Sequence, residues 1–490
     1  MKIEQLLDGI EILNNIKQET KELIIEGIAY SSFDININYV FVAIKGHNAD
    51  GHDYIKDAIN KGACLIVGEK GIDDLPIPYV QVDDSRKTLG ILSRNFYRNP
   101  SKNKIMIGIT GTNGKTTTSH LLKHILESNG KTCSLIGTIQ NIINGEVKNS
   151  TNTTPSSLEL HKLIAESKDE VIIIEISSHG LTQHRVEGLA FDLCLFTNLD
   201  HEHLDYHKTM EEYFRSKMLL FDYLKEDGQA IINIDNFWGD ELAKILDGQG
   251  KIVYSIGQKP KCKFKIINFN SKNSIVTIMD NKIENDIFSP MEGIHNMYNS
   301  VMAYGTARIM GLGSESILET IINFKGVRGR FEIYKLSNGA TAVVDYAHTA
   351  DAIFHCLRTA NQKGSKRITH VFGFRGGRDL SKRPEMLSVT SELSTRYILT
   401  LDDLNSVSKN EMIRTLSYLN HSYGNEKGMI IEDRTMAIKW AIEHSQKGDW
   451  IIITGKGHEQ YKQSFKLPTY FDTDTVLYVN DLFQRKALIE

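Results

Sequence analysis

Cysteine is scarce in this sequence. There are five (Cys64, Cys133, Cys194, Cys262 and Cys356) in 490 residues, odd in number and never in CxxC spacing. A disulfide framework or a zinc knot needs paired or clustered cysteines, so neither is expected, and a reducing compartment fits. Long apolar runs are missing too: none approaches the roughly 20 residues of a membrane span. The first residues, MKIEQLLDGIEILNN, carry acids where a secretory leader has a basic start and an apolar stretch. Excess positive charge is also absent. The formal net charge is −4, which argues against a nucleic-acid or polyanion binder, so local cations must hold any anionic substrate. No internal repeat or low-complexity tract stands out. The expected protein is cytoplasmic and monomeric, with small-molecule partners and neither nucleic acid nor membrane.

What is present is an ordinary globular composition, 41% hydrophobic and 24% charged. The length exceeds one core, and domains of roughly 100–200 residues suggest three. In the first hundred residues, Tyr39–Ile44 and Cys64–Val67 read as strands and Tyr54–Lys61 as helical, with a linker around Asn99–Asn103. Strand–loop–helix units follow. Ile105–Thr110 precedes a Gly-rich loop and a helix carrying Leu121, Leu122, Ile125 and Leu126 on one face. Val171–Ile176 and Leu193–Thr197 are continuous apolar strands, as in a parallel sheet buried on both sides. The pattern restarts near Phe331, with strands at Thr341–Tyr346, Ile368–Gly373, Tyr397–Leu401 and Trp450–Thr454. The expected fold is α/β in three domains: a small N-terminal α/β domain (1–100), a central P-loop-type parallel-sheet domain (101–330) and a C-terminal Rossmann-like domain (331–490).

The strongest local signal is Gly108-Ile-Thr-Gly-Thr-Asn-Gly-Lys-Thr116, between a strand and a helix. Glycines let backbone N–H groups curl around phosphate, and the helix N-terminus adds partial positive charge. Lys115 is placed to reach the β- and γ-phosphates and Thr116 to ligate Mg²⁺. The spacing departs from GxxxxGK[ST], since Ile109 stands where that motif has Gly. The alternative is a strand–helix turn with a chance Gly-Lys-Thr. Nucleotide binding alone leaves kinase, GTPase, motor and ligase open.

The loop is followed in order by Glu175-Ile-Ser-Ser-His-Gly-Leu-Thr-Gln-His-Arg185, Phe196-Thr-Asn-Leu-Asp-His-Glu-His-Leu-Asp-Tyr-His207 and Gly293-Ile-His-Asn-Met-Tyr-Asn299. Then come Gly329-Arg-Phe-Glu332, Asp345-Tyr-Ala-His348, Gly377-Arg-Asp379 and Lys456-Gly-His-Glu459. From about Ser31 to Asp472 this set resembles the Mur ligase family. The resemblance implies ATP-dependent phosphorylation of the side-chain carboxylate of UDP-N-acetylmuramoyl-L-alanyl-D-glutamate. The amine of a diamino acid then attacks the acyl phosphate, in peptidoglycan synthesis.

It implies that Lys115, Glu175, His203 and Lys217 are the catalytic set, and that Thr116, Glu175, His203 and Lys217 hold two Mg²⁺. Lys217 would be carbamylated by CO₂. Helical spacing in Glu211–Leu224 sets Lys217 beside Tyr213, Phe214, Leu220 and Phe221. Burial there lowers an amine's pKa and frees a nucleophile, whereas an ordinary Lys on such a face snorkels. Glu175 can instead be a strand-end salt bridge. His203, amid His201, Glu202, Asp205 and His207, suggests zinc by composition alone. The family has Asp at position 202, and nitrogen is an unusual ligand for Mg²⁺.

By the same resemblance ATP meets Gly111, Thr112, Asn113, Gly114, Lys115, Thr116, Thr117, Asn296, Arg330, Asp345 and His348. Asn296 reads equally as a helix cap. The UDP-muramoyl substrate meets Ser31, His47, Asn48, Ala49, Thr153, Thr154, Ser177, Gln183 and Arg185. The family's early Asp-Ser-Arg is Tyr30-Ser31-Ser32 here.

The incoming amino acid is assigned Arg378, Asp402, Asp403, Asn405, Gly455 and Glu459. Relatives that use meso-diaminopimelate carry Asp-Asn-Pro-Arg where this chain has Asp402-Asp403-Leu404-Asn405. With the Arg replaced and an acid added, a distal ammonium is favoured, so L-lysine is the first expectation. Meso-diaminopimelate and ornithine are the alternatives. Leu404 in place of Pro is expected to loosen the turn, and Arg375, which has no family counterpart, to be solvated. Competing readings are a sister ligase such as folylpolyglutamate synthase, a non-catalytic paralogue that binds UDP-muramoyl substrates, and a zinc hydrolase built on the His cluster.

Overall fold

The computed structural model describes residues 1–46 and 49–487. The chain divides into two compact units. One comprises Met1–Thr110, Lys131–Leu195 and Ser216–Ala230; the other Gly111–Gly130, Phe196–Arg215 and Ile231–Glu490.

The first unit opens with a parallel sheet of β1 (Gly27–Ala29), β2 (Tyr39–Val42), β3 (Ala63–Gly68) and β4 (Tyr79–Gln81), in that order. Alternation in β2 and β3 sends Val40, Val42, Leu65 and Val67 toward Ile3, Leu6, Leu89 and Leu92. Phe41 and Ile66 point to the other face, toward Ile55 and Ala58. The helix expected over Tyr54–Lys61 begins as a 3₁₀ turn, Gly51–Tyr54, and runs on as Ile55–Asn60.

The same unit carries β5 (Ile105–Thr110), β6 (Cys133–Ile136), β7 (Gln140–Ile143), β8 (Glu146–Asn149), β9 (Val171–Glu175) and β10 (Phe191–Phe196), ordered β10-β5-β9-β6-β7-β8. Every residue of β9 is buried, as branched aliphatics in a central parallel strand must be. The sheet is mixed, not parallel throughout as expected. β5 and β6 run parallel to β9, but β7 and β8 fold back antiparallel. Asn144 (φ 54°) and Gly145 (φ 80°) form their two-residue turn, and positive φ at both positions matches the strand twist.

In the second unit, after β11 (Leu224–Asn233), come β12 (Ile252–Gly257), β13 (Phe264–Asn270), β14 (Ile275–Asp280) and β15 (Ile283–Phe288). The last three form an antiparallel meander with no counterpart in the sequence expectations. The helix Lys115–Ser128 buries Leu121, Leu122, Ile125 and Leu126 as expected and packs on the helix Ile294–Ile309. The last sheet holds β16 (Glu332–Lys335), β17 (Thr341–Val344), β18 (Ile368–Phe374), β19 (Arg396–Leu401), β20 (Gly428–Ile430) and β21 (Trp450–Ile453), in the order β16-β17-β21-β18-β19-β20. All but β16 are parallel. Helices cover both faces. Ile353 and Leu357 pack against Phe372 and Leu399, and Ala437 and Ile438 against Val371 and Ile398. This is the expected doubly wound arrangement, with loops for ligands at the carboxyl ends of the strands. Among the described residues no helix is long and apolar enough to cross a membrane.

Two fully buried histidines predict acid sensitivity. His370, on β18, is flanked by the Thr390 and Thr454 hydroxyls at 3.0 and 2.9 Å. Burial, reinforced by Arg434, lowers its pKa to about 3. Burial lowers that of His161 to about 4. Each folded-state pKa lies below the unfolded value of about 6.5, so protonation favours the unfolded chain. Their share of stability is complete above pH 6.5 and declines as pH falls. The decline reaches about 1.4 kcal/mol per pH unit for each histidine. Melting curves at pH 7.5 and 5.0 should show a clear fall, reduced in His370→Asn. A flat profile contradicts this account.

Candidate active site

The loop after β5 is shaped by two glycines. Gly111 (φ 144°) and Gly114 (φ 87°) hold left-handed conformations, and a Cβ on either would overlap Thr197 Oγ1 or Asn299 Oδ1 respectively. The loop is locked by Asn198, which accepts from Thr112 N through its carbonyl and from Asn113 N through its side chain, each at 2.9 Å. Thr197 Oγ1 donates to Asn113 O at 2.6 Å, and Thr112 Oγ1 lies 3.1 Å from the Tyr213 hydroxyl. Lys115 Nζ donates to Gly111 O (2.6 Å) and Thr112 O (2.9 Å), which places the ammonium inside the loop at the helix N-terminus. Thr116 and Thr117 are buried beside it.

Arg330 Nη2 donates to Thr116 Oγ1 at 3.3 Å, and its guanidinium lies 4.4 Å from the Tyr346 ring. Asp345, expected at ATP, accepts from Phe331 N and Ala347 N at 2.6 Å each, so its carboxylate fixes the backbone beside Arg330. Asn296 lies inside the helix that Gly293 caps. Its side chain donates to Glu292 O and accepts from Asn299, which also bonds Thr118, so the helix-cap alternative fails. Asn113 Nδ2 reaches Asp351 at 3.3 Å.

His203 has φ 58°, and its ring nitrogen lies 3.6 Å from the buried Glu202. Glu202 also meets His348 Nε2 at 2.6 Å and Lys382 at 4.0 Å. Burial alone would raise the Glu202 pKa, but His203, His348 and Lys382 outweigh it and hold the carboxyl well below its usual range. The remaining histidines of this segment disperse: His201 bonds Glu385 and Ser381, and His207 stacks on Tyr213. Among the described residues no group of three or more His, Cys, Asp or Glu is placed to hold a metal ion.

In the other unit, β9 delivers Glu175, fully buried, into a network containing five expected substrate residues. Thr138 Oγ1 donates to Glu175 Oε2 (2.7 Å) and lies 3.1 Å from Thr153 Oγ1, from whose hydroxyl it can accept. Thr154 Oγ1 donates to Glu175 O at 3.0 Å and accepts from Ser177 N at 2.9 Å. Arg185 donates to Thr154 O at 2.7 Å and grips Gln183 Oε1 through two nitrogens. Gly137 is required here because a Cβ would overlap the Glu175 carboxylate. Lys217 is 1% exposed, so it does not snorkel. Ser31 caps the Ser32–Asp34 turn, and Ala49 is exposed; neither joins this network. His47 and Asn48 lie outside the described residues.

Taken singly, the Thr116 hydroxyl and the buried Glu175 carboxylate are oxygen donors of the kind Mg²⁺ accepts. An unmodified lysine side chain such as Lys217 is not a Mg²⁺ ligand, and His203 offers only nitrogen.

At the carboxyl ends of the last sheet, Asp402 and Asp403 are buried and already paired. Lys456 Nζ lies 2.7 Å from Asp403 and 3.6 Å from Asp402. The turn is held firmly despite Leu404: Gly376 N donates to Asp403 O at 2.9 Å, and Asn405 Nδ2 donates to Gly376 O at 2.8 Å. A Cβ on Gly376 would overlap Leu404 O. Arg378 is exposed. Arg375 is not solvated. Its side chain is 17% exposed and bonds Glu459 and Gly455 O. Thr138, Asn198, Asn299 and Arg375 are the residues the motif reading missed. Asn198 and Asn299 sit inside quoted motifs, whereas Thr138 carries no local signal.

Three family models match in order: the Mur ligase family catalytic domain over residues 24–97, the Mur ligase middle domain over 109–307, and the Mur ligase glutamate ligase domain over 329–457. A UDP-N-acetylmuramoyl-L-alanyl-D-glutamate–2,6-diaminopimelate ligase of Clostridium botulinum is 37% identical, covering 97% of this chain and 99% of that one. Its namesake from Fusobacterium nucleatum is 37% identical over 99% of both. Among solved structures, a 2,6-diaminopimelate ligase of the same description superposes with TM-score 0.69 at 24% identity over 99% of each chain. The MurF ligase of Thermotoga maritima in complex with ADP gives 0.66 at 18%, over 95% of this chain and 100% of that one.

Proposed function

This chain belongs to the Mur ligase family, and we propose that it couples a diamino acid to the D-glutamate side-chain carboxylate of UDP-N-acetylmuramoyl-L-alanyl-D-glutamate at the expense of ATP, in peptidoglycan synthesis. The observation that carries this reading is the near-full-length likeness to relatives named for that reaction. A cytoplasmic monomer in three domains divided near 100 and 330 belongs to the same proposal.

The chemistry begins with two anions that repel, the glutamate carboxylate and the γ-phosphate. Lys115, inside the loop, offsets that repulsion and stabilises charge as the phosphoryl group moves to the carboxylate oxygen and ADP departs. The loop backbone at Thr112 and Asn113 is held in place by Thr197 and Asn198. Arg330 and Thr116 extend the polar lining toward the triphosphate. Mg²⁺ at Thr116 and Glu175, with a second ion at His203 and carbamylated Lys217, would supply further charge neutralisation. The Thr153–Arg185 network orients the muramoyl dipeptide. The unprotonated amine of the diamino acid then attacks the acyl carbon, the C–N bond forms, and the C–O bond to phosphate breaks.

The expectation of L-lysine assumed that Asp403 stood ready for a distal ammonium. Lys456 already neutralises it. We therefore propose a 2,6-diaminodicarboxylic acid as the acceptor, as in the relatives' names. L-lysine is the second reading, favoured by the absence of arginine from Asp402–Asn405. The test is phosphate release from ATP with the UDP-muramoyl dipeptide and single amino acids. Release that depends on meso-diaminopimelate is expected. Release with L-lysine alone keeps the ligase and reverses the acceptor, and silence with every amino acid indicates the non-catalytic paralogue.

A further inference from the structure

We propose that Arg375 reads the distal carboxylate of the incoming diamino acid, in place of the arginine that the Asp402–Asn405 loop lacks. The inference rests on the ligase reading above and adds the residue that sets its acceptor specificity.

Arg375 follows Phe374, the last residue of β18, at the carboxyl edge where an α/β sheet binds its ligands. Its guanidinium is held through its two terminal nitrogens and lies 5.4 Å from the Tyr346 ring. Nη2 donates to Gly455 O at 3.0 Å and to the Glu459 carboxylate, and Nη1 lies 3.5 Å from the Tyr346 hydroxyl. The Nε–H is buried and has no hydrogen-bond partner. The Asp402 carboxylate stands 4.0 Å from Nε, beyond hydrogen-bond reach, accepts from Asp403 N, and lies near Lys456. A buried N–H without an acceptor is costly, and with the terminal nitrogens engaged the guanidinium presents its Nε–H to a single carboxylate oxygen.

Charge agrees with this. Lys456 lies 2.7 Å from Asp403 and 3.6 Å from Asp402, and Glu459 is bonded to Arg375, so each of these carboxylates already has a cation beside it and none stands ready for a distal ammonium. The segment Gly373–Asp379 carries two arginines, one anchored (Arg375) and one exposed (Arg378). Two arginines suit an acceptor with two carboxylates, whereas L-lysine has one. Gly376 keeps the segment fixed, since its backbone packs on Leu404 O without room for a side chain. The loss of an arginine from one loop is thus offset by its gain on the neighbouring loop.

The test compares wild type, Arg375→Met and Arg375→Lys, each with meso-diaminopimelate and with L-lysine, following phosphate release and amide product. In wild type, meso-diaminopimelate should be used and L-lysine poorly. Arg375→Met should raise KM for meso-diaminopimelate by about a hundredfold. KM for ATP and for the UDP-muramoyl dipeptide should stay within about threefold, a split that a folding defect does not produce. Arg375→Lys, which keeps the charge and loses the fork, should fall between them. If Arg375→Met is too unstable to assay, Arg375→Lys carries the same comparison. An unchanged KM for meso-diaminopimelate in the substituted enzymes overturns the proposal. L-lysine as the preferred wild-type substrate also overturns it and leaves the ligase reading intact. No release by wild type with either amino acid overturns both.

Discussion

Lys115→Ala is expected to lower kcat/KM for ATP-dependent phosphate release by about a thousandfold or more, corresponding to about 4 kcal/mol of lost transition-state stabilisation. The ammonium sits between two loop carbonyls, at 2.6 and 2.9 Å, at the head of a helix entered through Gly114. Its charge is therefore positioned before ATP arrives. Removing it leaves the loop backbone intact, because the Asn198 and Thr197 bonds hold Thr112 and Asn113 without it. The loss should fall mainly on kcat, with binding of the UDP-muramoyl dipeptide measured by calorimetry unchanged. Activity within tenfold of wild type would place the phosphate site elsewhere.

The legibility of this site in sequence follows the range of its interactions. Strands made almost wholly of apolar residues, such as β5 (Ile-Met-Ile-Gly-Ile-Thr) and β9 (Val-Ile-Ile-Ile-Glu), announce themselves because both faces are buried. The phosphate loop is local, so its glycines and lysine can be read together. The Asn144-Gly145 hairpin has no counterpart in the sequence expectations, since the strands it joins, β7 and β8, have alternating or largely exposed patterns. The β13–β15 meander escaped for the same reason, and its last hairpin turns on Asn281 and Lys282 without a glycine. Within the site, Thr138 reaches Glu175 across 37 residues and Thr118 reaches Asn299 across 181. No spacing rule covers such pairs. The expectation for Asp403 failed similarly. An added acid looked like an empty cation site, but its partner Lys456 lies 53 residues on. Charge substitutions inside a loop need the neighbouring loops before they bear on specificity.

Lys217→Ala is expected to abolish turnover while leaving the chain folded. Sequence spacing placed Lys217 within one continuous helix. In the structure the α-helix ends at Met218 and continues as a 3₁₀ turn, Leu219–Tyr223. Lys217 thus lies at the helix end, buried to 1%, while Leu220 and Phe221 close into the core. At such depth the ammonium is disfavoured relative to the neutral amine except where a partner compensates it. Addition of CO₂ to the neutral amine forms a carbamate N–C bond and releases a proton, giving an anionic oxygen donor on this side chain. The modification has a readout independent of catalysis: ¹³C-bicarbonate should give a carbamate carbon resonance in wild type that Lys217→Ala lacks. Added formate or acetate, small enough to enter the space left by the side chain, should restore part of the activity in Lys217→Ala and none in Lys115→Ala. Full activity of Lys217→Ala without added carboxylate removes the carbamate from the mechanism. Loss of activity with no labelled resonance in wild type reduces Lys217 to a structural residue.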